Sequence, residues 1–376
     1  MLKKAAKRKG LWLLFLIIII VAVMFEGRRS YFALQASPTE QFIKRHMMNA
    51  NGTLATFLQE GVSDTPEIPA GREALSESLG LWMQYAVLKD DKALFESGYE
   101  TLKQWFVAPE GYIAWKLTED GQSMVHTNAL VDDFRIIEAL YEATYKWNRE
   151  AYGTLADQLS STVTDFLLRE GTFVDYYDFS LQDSGSNISL SYLNMPAMAH
   201  MVYSGELAQS VYQRHKALLK DMPNDGRFYP KSYDPVANRY TYDDTINLID
   251  QLLVALNVVD NGGDPAPLFT FIQTEFTQRQ QIMGRYSRAG QPVAPYESPA
   301  VYGLSILLAL RLNDVEFASQ LYDRMLKFRG QDHTYPGGYV FDRNTHLFDN
   351  LYPLIAEQQL LEQTRGKQSW WDKIWR

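Results

Sequence analysis

Helical patterns of two kinds alternate along this chain, and the alternation leaves few folds open to it. Twelve apolar-periodic segments lie at roughly 38–60, 71–89, 91–106, 127–147, 149–169, 190–203, 205–220, 243–259, 265–283, 297–311, 312–327 and 346–364. The even-numbered ones are apolar nearly all round. The eighth reads Ile246, Leu248, Ile249, Leu252, Leu253, Val254, Ala255, Leu256, and the tenth is as rich. Such helices are buried on every side. The odd-numbered ones carry one stripe, as in Leu94, Phe95, Gly98, Leu102 and Trp105, so each lies on the outside. Links from even to odd segments are a residue or two (Lys89-Asp90, Asn148, Ser204), whereas links from odd to even are long. The long loops therefore gather at one end, where each buried helix has its N-terminus. Six inner and six outer helices in alternation predict an all-α fold, an (α/α)6 barrel. Strand-like runs at 111–117, 172–177 and 227–235 predict small β-hairpins walling a cleft at the long-loop end. An open helical solenoid is the alternative, but it would keep a regular repeat length, which this chain lacks.

The first thirty residues belong to a different class. Lys3, Lys4, Lys7, Arg8 and Lys9 precede an apolar run from Leu11 to Phe25. A basic start before such a run reads as a signal anchor or signal peptide. No small-x-small cleavage pattern follows, which favours an uncleaved transmembrane helix with its N-terminus in the cytoplasm. Residues 1–30 are thus expected as tail and anchor, and 31–376 as one extracellular domain. Residues 1–30 carry seven Lys/Arg and one Glu, leaving 29 Lys/Arg against 44 Asp/Glu, a net −15, for the body. So acidic a body excludes nucleic acid as its main partner. The absence of cysteine excludes thiol catalysis, cysteine-bound metal and a lipid-modified cysteine anchor. At the C-terminus, Trp370, Trp371 and Trp375 beside Lys373 and Arg376 suit either a membrane interface or packing on the barrel.

Carboxylates sit where buried helices meet the long-loop end. Glu77 lies near the start of the second segment, where ordinary dipole compensation with Ser76 as cap would explain it. Yet the helix is buried all round, so Glu77 must face an interior mouth. Desolvation there favours its acid form and suits it to donate a proton. Asp133 interrupts an apolar stripe made by Leu130, Ile137 and Leu140, either as a hydrogen-bonded core aspartate or as a cleft residue. Asp132 and Arg135 are read as a solvated or structural pair pointing elsewhere. Asp243 and Asp244 open the eighth segment; one of them can cap it while the other faces the cleft.

Aromatic residues crowd the same loops. Trp82, Tyr112, Trp115, Tyr192, Tyr242 and Tyr302 are candidates for stacking on sugar rings, though core filling accounts for several such positions. No histidine pair has metal-ligand spacing, and there is no phosphate loop or nucleophile elbow. No cofactor or metal is expected.

At these residues the chain resembles glycoside hydrolase family 8, inverting endo-glycanases built on an (α/α)6 barrel. The family's general-acid segment, Ser-Glu-Gly-x-Gly-Tyr-Gly-Met, is similar to the run from Ser76 and Glu77 through Gly80 to Met83. Its Asn-Ala-Thr-Asp-Ala-Asp-Leu-Asp is similar to Asn128-Ala129 through Asp133 to Arg135, with only the central aspartate kept. Its base motif, Tyr-Asp-Ala-x-Arg-x-Pro, is echoed best with Asp244 at the base position, or Asp243 with the register moved by one; the Arg and Pro are absent. The resemblance implies Glu77 as acid, Asp244 or Asp243 as base and Asp133 positioning the sugar. The departures suggest a branch associated with exopolysaccharide.

The expected function is therefore a membrane-anchored extracellular glycosidase that cleaves a bacterial exopolysaccharide within the chain. Its partners are expected to be the polysaccharide, the membrane and the exopolysaccharide synthesis or export machinery. One alternative is a non-catalytic polysaccharide-binding or export-assisting protein with a degenerate site. Another is a different (α/α)6 carbohydrate enzyme such as a polysaccharide lyase, which the acidic body disfavours.

Overall fold

The computed structural model describes residues 37–374 apart from 64 and 66, with side chains up to 364. Among these, twelve α-helices follow in order: α1 (Pro38–Phe42), α2 (Ser76–Lys89), α3 (Lys92–Thr101), α4 (Leu130–Trp147), α5 (Glu150–Phe166), α6 (Met195–Ser204), α7 (Gln209–Lys220), α8 (Leu248–Asp260), α9 (Ala266–Arg279), α10 (Pro299–Arg311), α11 (Val315–Met325) and α12 (Phe348–Ile374). The even-numbered helices close a ring. Each packs on the next, from α2 on α4 round to α12, and α12 returns to α2. The odd-numbered helices α3, α5, α9 and α11 lie each against the even-numbered helix before it. Two rings of six make the (α/α)6 barrel, and an open solenoid would lack the α12–α2 contact. Pro38–Arg376 forms one compact unit.

The short links turn through left-handed residues. Asp90 (φ 61°), Asn148 (φ 49°) and Gly205 (φ 92°) each end an inner helix in this conformation, which short polar residues and glycine adopt most readily. The long links at the other end pair into small antiparallel sheets. Strand β1 (Ala74–Leu75) pairs with β2 (Lys116–Leu117), placing a strand from a long loop beside the start of α2. The strands β3 (Leu168–Arg169) and β4 (Thr172–Phe173) pair with each other, as do β5 (Tyr177–Asp178) and β6 (Asp183–Ser184). Next, β7 (Ile188–Ser189), β8 (Ser232–Asp234) and β9 (Arg239–Thr241) form a three-stranded sheet; β10 (Thr245–Asn247) pairs with β11 (Arg285–Ser287).

Several helical expectations overrun, the first, second and eighth among them; the second starts at Ser76, because Ala74–Leu75 is taken by pairing with β2. The segment from 38 becomes α1 plus a wide turn at Ile43–Met47, and then chain bridges Met48 to Leu54 and Ala55 to Ala74. Asn49, Asn51 and Gly52 (φ 86°) supply a turn there that stops a helix. The eighth helix starts at Leu248, because Thr245–Asn247 is taken by pairing with β11. Its cap is Asn247, whose side chain accepts from the Ile249 N–H at 3.1 Å. Neither Asp243 nor Asp244 is used as a cap. The apolar run at 11–25 and the C-terminal tryptophan side chains lie outside what is described. Among the described residues no helix is long and apolar enough to cross a membrane.

Glycine sets how closely two pairs of inner helices approach. A Cβ on Gly80 would lie 3.1 Å from the Arg135 Cβ and 3.3 Å from Ile136 Cγ1, so α2 and α4 touch almost backbone to backbone one turn beyond Glu77. A Cβ on Gly303 would lie 2.7 Å from the Tyr352 carbonyl carbon. The obstacle there is the backbone of α12, which cannot swing aside. Gly303→Ala is expected to destabilise the barrel by about 1–3 kcal/mol through overpacking. Chemical denaturation measures this, and a variant as stable as the parent would show that α12 has slack.

Candidate active site

Glu77 is the second residue of α2, in the first turn, where the N-terminal dipole favours a carboxylate. The β1–β2 pairing fixes this end of the helix: the Ser76 amide donates to the Trp115 carbonyl at 3.0 Å. The Ser76 hydroxyl does not cap the helix. It donates to Asp132 Oδ2 at 2.8 Å, tying α2 to α4. Glu77 keeps 25% of its side chain exposed. Burial pushes its carboxyl above the ordinary value, and the Arg135 guanidinium partly opposes this.

Asp132 and Arg135 correct the sequence reading. Both are buried, and they face Glu77 instead of pointing elsewhere. Arg135 Nη1 donates to Asp132 Oδ1 at 2.9 Å and lies 3.9 Å from Glu77 Oε2, while Nη2 donates to the Tyr352 hydroxyl at 3.2 Å. Asp132 is pushed up to about 7, first by burial and further by Glu77, with Arg135 and Ser76 opposing. Asp133 points the other way. It shares a narrow space with Gly111, Tyr112, Ile113, Leu159 and Val163, between α4 and α5, and accepts from the Asn128 side chain. Burial holds its carboxyl well above the usual range. Residues 132 and 133 are about 100° apart around a helix, so only one of them can face Glu77.

Beyond Glu77 the site continues through Tyr192 to a second group of carboxylates. Tyr192 is half-buried and feels Asp175, Asp132 and Glu77; burial, then these charges, push its hydroxyl up. Asp175 is held by Ser189, whose amide and hydroxyl donate at 2.6 and 2.8 Å. Lys231, next to β8, pairs with Asp243 at 2.9 Å and also acts on Asp175 and Asp250. Asp243, Asp250, Lys231 and Tyr229 line one small pocket at the start of α8. Burial raises the Asp250 carboxyl, with Lys231 opposing. Asp244 is exposed.

The structure separates the aromatic candidates. Trp115 is half-buried and its backbone carbonyl lies against Ser76, next to Glu77 in the chain, and Tyr192 feels the Glu77 charge. Trp82 is buried and stacked on Tyr85, with centroids 5.6 Å apart. Tyr112 is buried against Phe179 at 3.9 Å. Tyr302 is fully buried, and its hydroxyl donates to Glu297 and accepts from the Ile282 amide. These three fill the core and are not free to stack on a sugar. Tyr242 carries the Arg288 guanidinium over its ring at 4.2 Å. Glu297, a carboxylate at the start of the tenth segment, is taken by Arg324 and Tyr302.

Asp132, Arg135, Asp175, Lys231 and Asp250 escaped the sequence reading as site residues. Asp250 had a signal: it is a lone charge in the apolar run Leu248-Ile249-Asp250-Gln251-Leu252. Asp175 and Lys231 lie in loops, where no periodicity marks them.

The family model described as glycosyl hydrolases family 8 matches residues 19–215, just over half the chain, which includes Glu77 and Asp132 but not Asp243 or Asp244. A protein of Bacillus subtilis (strain 168), provisionally named lipoprotein YdaJ, is 35% identical over 330 residues, covering 87% of each chain. The crystal structure of PssZ from Listeria monocytogenes is 26% identical with a TM-score of 0.70, covering 86% of this chain and 96% of that one. A structure described as a novel alpha-amylase from Clostridium perfringens shares the fold, with a TM-score of 0.78 at 24% identity, covering 85% and 96%. The family model over residues 19–215 and the relative matched over 87% of this chain make one conclusion: this protein belongs to glycosyl hydrolases family 8 and is a glycoside hydrolase.

Proposed function

We propose that the protein is an extracellular, membrane-held hydrolase that cuts a bacterial exopolysaccharide within the chain, with inversion at the anomeric carbon. The observation that carries this reading is Glu77: a carboxyl whose acid form burial favours, in the first turn of an inner helix, beside Trp115 and Tyr192. Glu77 gives its proton to the glycosidic oxygen as the bond from that oxygen to C1 breaks. Water attacks C1 from the opposite face, and a carboxylate takes the proton that water loses. Asp243 is assigned that role over Asp244, because it lines the pocket at the start of α8 and Lys231 fixes its orientation. Asp132, in place of Asp133, supports the acid. The acidic body favours a neutral or amine-bearing polymer over a polyuronate.

The apolar run from Leu11 to Phe25 is assigned as the anchor. The chain has no cysteine to carry a lipid. The test is a panel of soluble polymers: β-1,4-glucan, xylan, starch, chitosan, and exopolysaccharide from a biofilm-forming Gram-positive bacterium. New reducing ends with falling viscosity on the exopolysaccharide are expected, and proton NMR of the first product should show the anomer opposite to the cleaved linkage. A retained anomer would remove the inverting assignment, and activity on starch alone would redirect the substrate.

A further inference from the structure

The acid proposed above has a cation built into its floor. Its guanidinium, that of Arg135, is 6% exposed and cannot follow solvent ions. Asp132 grips one end at 2.9 Å and Tyr352, from α12, the inner helix on the other side of α2, grips the other at 3.2 Å. Asp132 is in turn held by Ser76, the residue before Glu77, at 2.8 Å. The chain of hydrogen bonds Ser76–Asp132–Arg135–Tyr352 therefore spans three inner helices. It fixes Arg135 Nη1 at 3.9 Å from Glu77 Oε2. That distance is beyond hydrogen bonding but within strong Coulomb reach in a partly dry site. The bare Cα of Gly80 lets α4 come close enough to put Arg135 there.

We infer that Arg135 is a positioning residue for the acid: it stabilises the glutamate that remains when the proton passes to the leaving group, and Asp132 and Tyr352 set its distance. This inference rests on the proposed role of Glu77. A cation in direct contact would hold Glu77 as a carboxylate and spoil it as a donor. With no cation, a half-buried glutamate would keep its proton too tightly to release it in the transition state. Arg135 at one step removed lies between these limits. The charged and titratable groups facing Glu77 are Asp132 and Arg135 from α4, Tyr352 from α12, and Tyr192 from the turn before α6. The Lys116–Glu73 pair on the β1–β2 side is a salt bridge at 3.2 Å.

The experiment is a carboxyl titration by 13C NMR on the full-length protein in detergent micelles, labelled at glutamate. The Glu77 resonance is the one missing from Glu77→Gln. In Arg135→Met its midpoint should rise by about 1–3 pH units, the range an opposite charge at this distance commands. Arg135→Lys should recover most of that displacement, and Tyr352→Phe should move it the same way by less. If Arg135→Met does not fold because Asp132 is left as a bare buried charge, the double variant Arg135→Met/Asp132→Asn, read against Asp132→Asn alone, cancels the effect of removing Asp132 and keeps the test. An unmoved midpoint in folded protein overturns the inference, as does failure of Arg135→Lys to recover it. In active protein the alkaline limb of kcat/KM should follow the same displacement, and a limb that stays in place also overturns it. Turnover by Glu77→Gln is a separate readout: full activity there would remove Glu77 as the acid, whatever its titration does.

Discussion

Glu77→Gln is expected to lower kcat on the natural polymer by about 10²–10⁴-fold, the contribution of a positioned general acid. The amide has the shape of the carboxylic acid but no proton to give. Polymer binding should survive, because Trp115 and Tyr192 are untouched. Stability should not fall. Burial raises the folded Glu77 carboxyl above its ordinary value of 4.5, so ionising it costs the folded state more than the unfolded one. The stability that protonated Glu77 carries is complete below about 4.5 and is lost as pH rises through the raised folded value. The variant escapes that loss, so its melting temperature should match the parent at low pH and exceed it increasingly at higher pH. A pH series of melting curves beside a reducing-sugar assay checks both halves. Wild-type turnover by the variant would sink the assignment.

Asp243→Asn should cost a similar factor, about 10²–10⁴-fold in kcat, because water would lose its proton acceptor. Asp244→Asn, by contrast, should stay near the parent rate, since that side chain points into solvent at the rim. The fold should tolerate Asp243→Asn. The aspartate is 36% exposed, and Lys231 keeps the fields of Asp175 and Asp250 when Asp243 is neutralised. Added azide should restore part of the rate to Asp243→Asn, because an anionic nucleophile needs no base. A large loss in Asp244→Asn with none in Asp243→Asn would move the base to the rim. Loss in neither, but in Asp250→Asn, would move it into the first turn of α8.

The barrel was legible because its signals are local. Period 3.6 with apolar residues on every side marks an inner helix, one stripe marks an outer helix, and link lengths tell which ends meet. Twelve patterns became twelve helices among the described residues, and the cleft end followed from the long links. The overrun at 48–60 had a local cause, an Asn-rich turn; the one at 243–247 had a distant cause, strand pairing with residues 285–287.

Glu77 could be singled out as a site residue from the sequence because it is the lone carboxylate at the head of a helix with no polar face. Which carboxylates join it could not. Where a helix is apolar all round, the pattern does not fix its rotation, and a turn of about 100° exchanges Asp132 for Asp133. Packing settled that rotation: Gly80 admits the backbone of α4, and Ser76 and Tyr352 then seize Asp132 and Arg135. The aromatic candidates divide for the same reason. Trp82, Tyr112 and Tyr302 look like Trp115 and Tyr192 in sequence, and only the packed structure shows that the first three are buried. Local periodicity thus determined the scaffold, the mouth and the place of the proposed acid at the head of α2. The charges that surround the acid were decided by contacts between helices more than fifty residues apart, which no local pattern encodes.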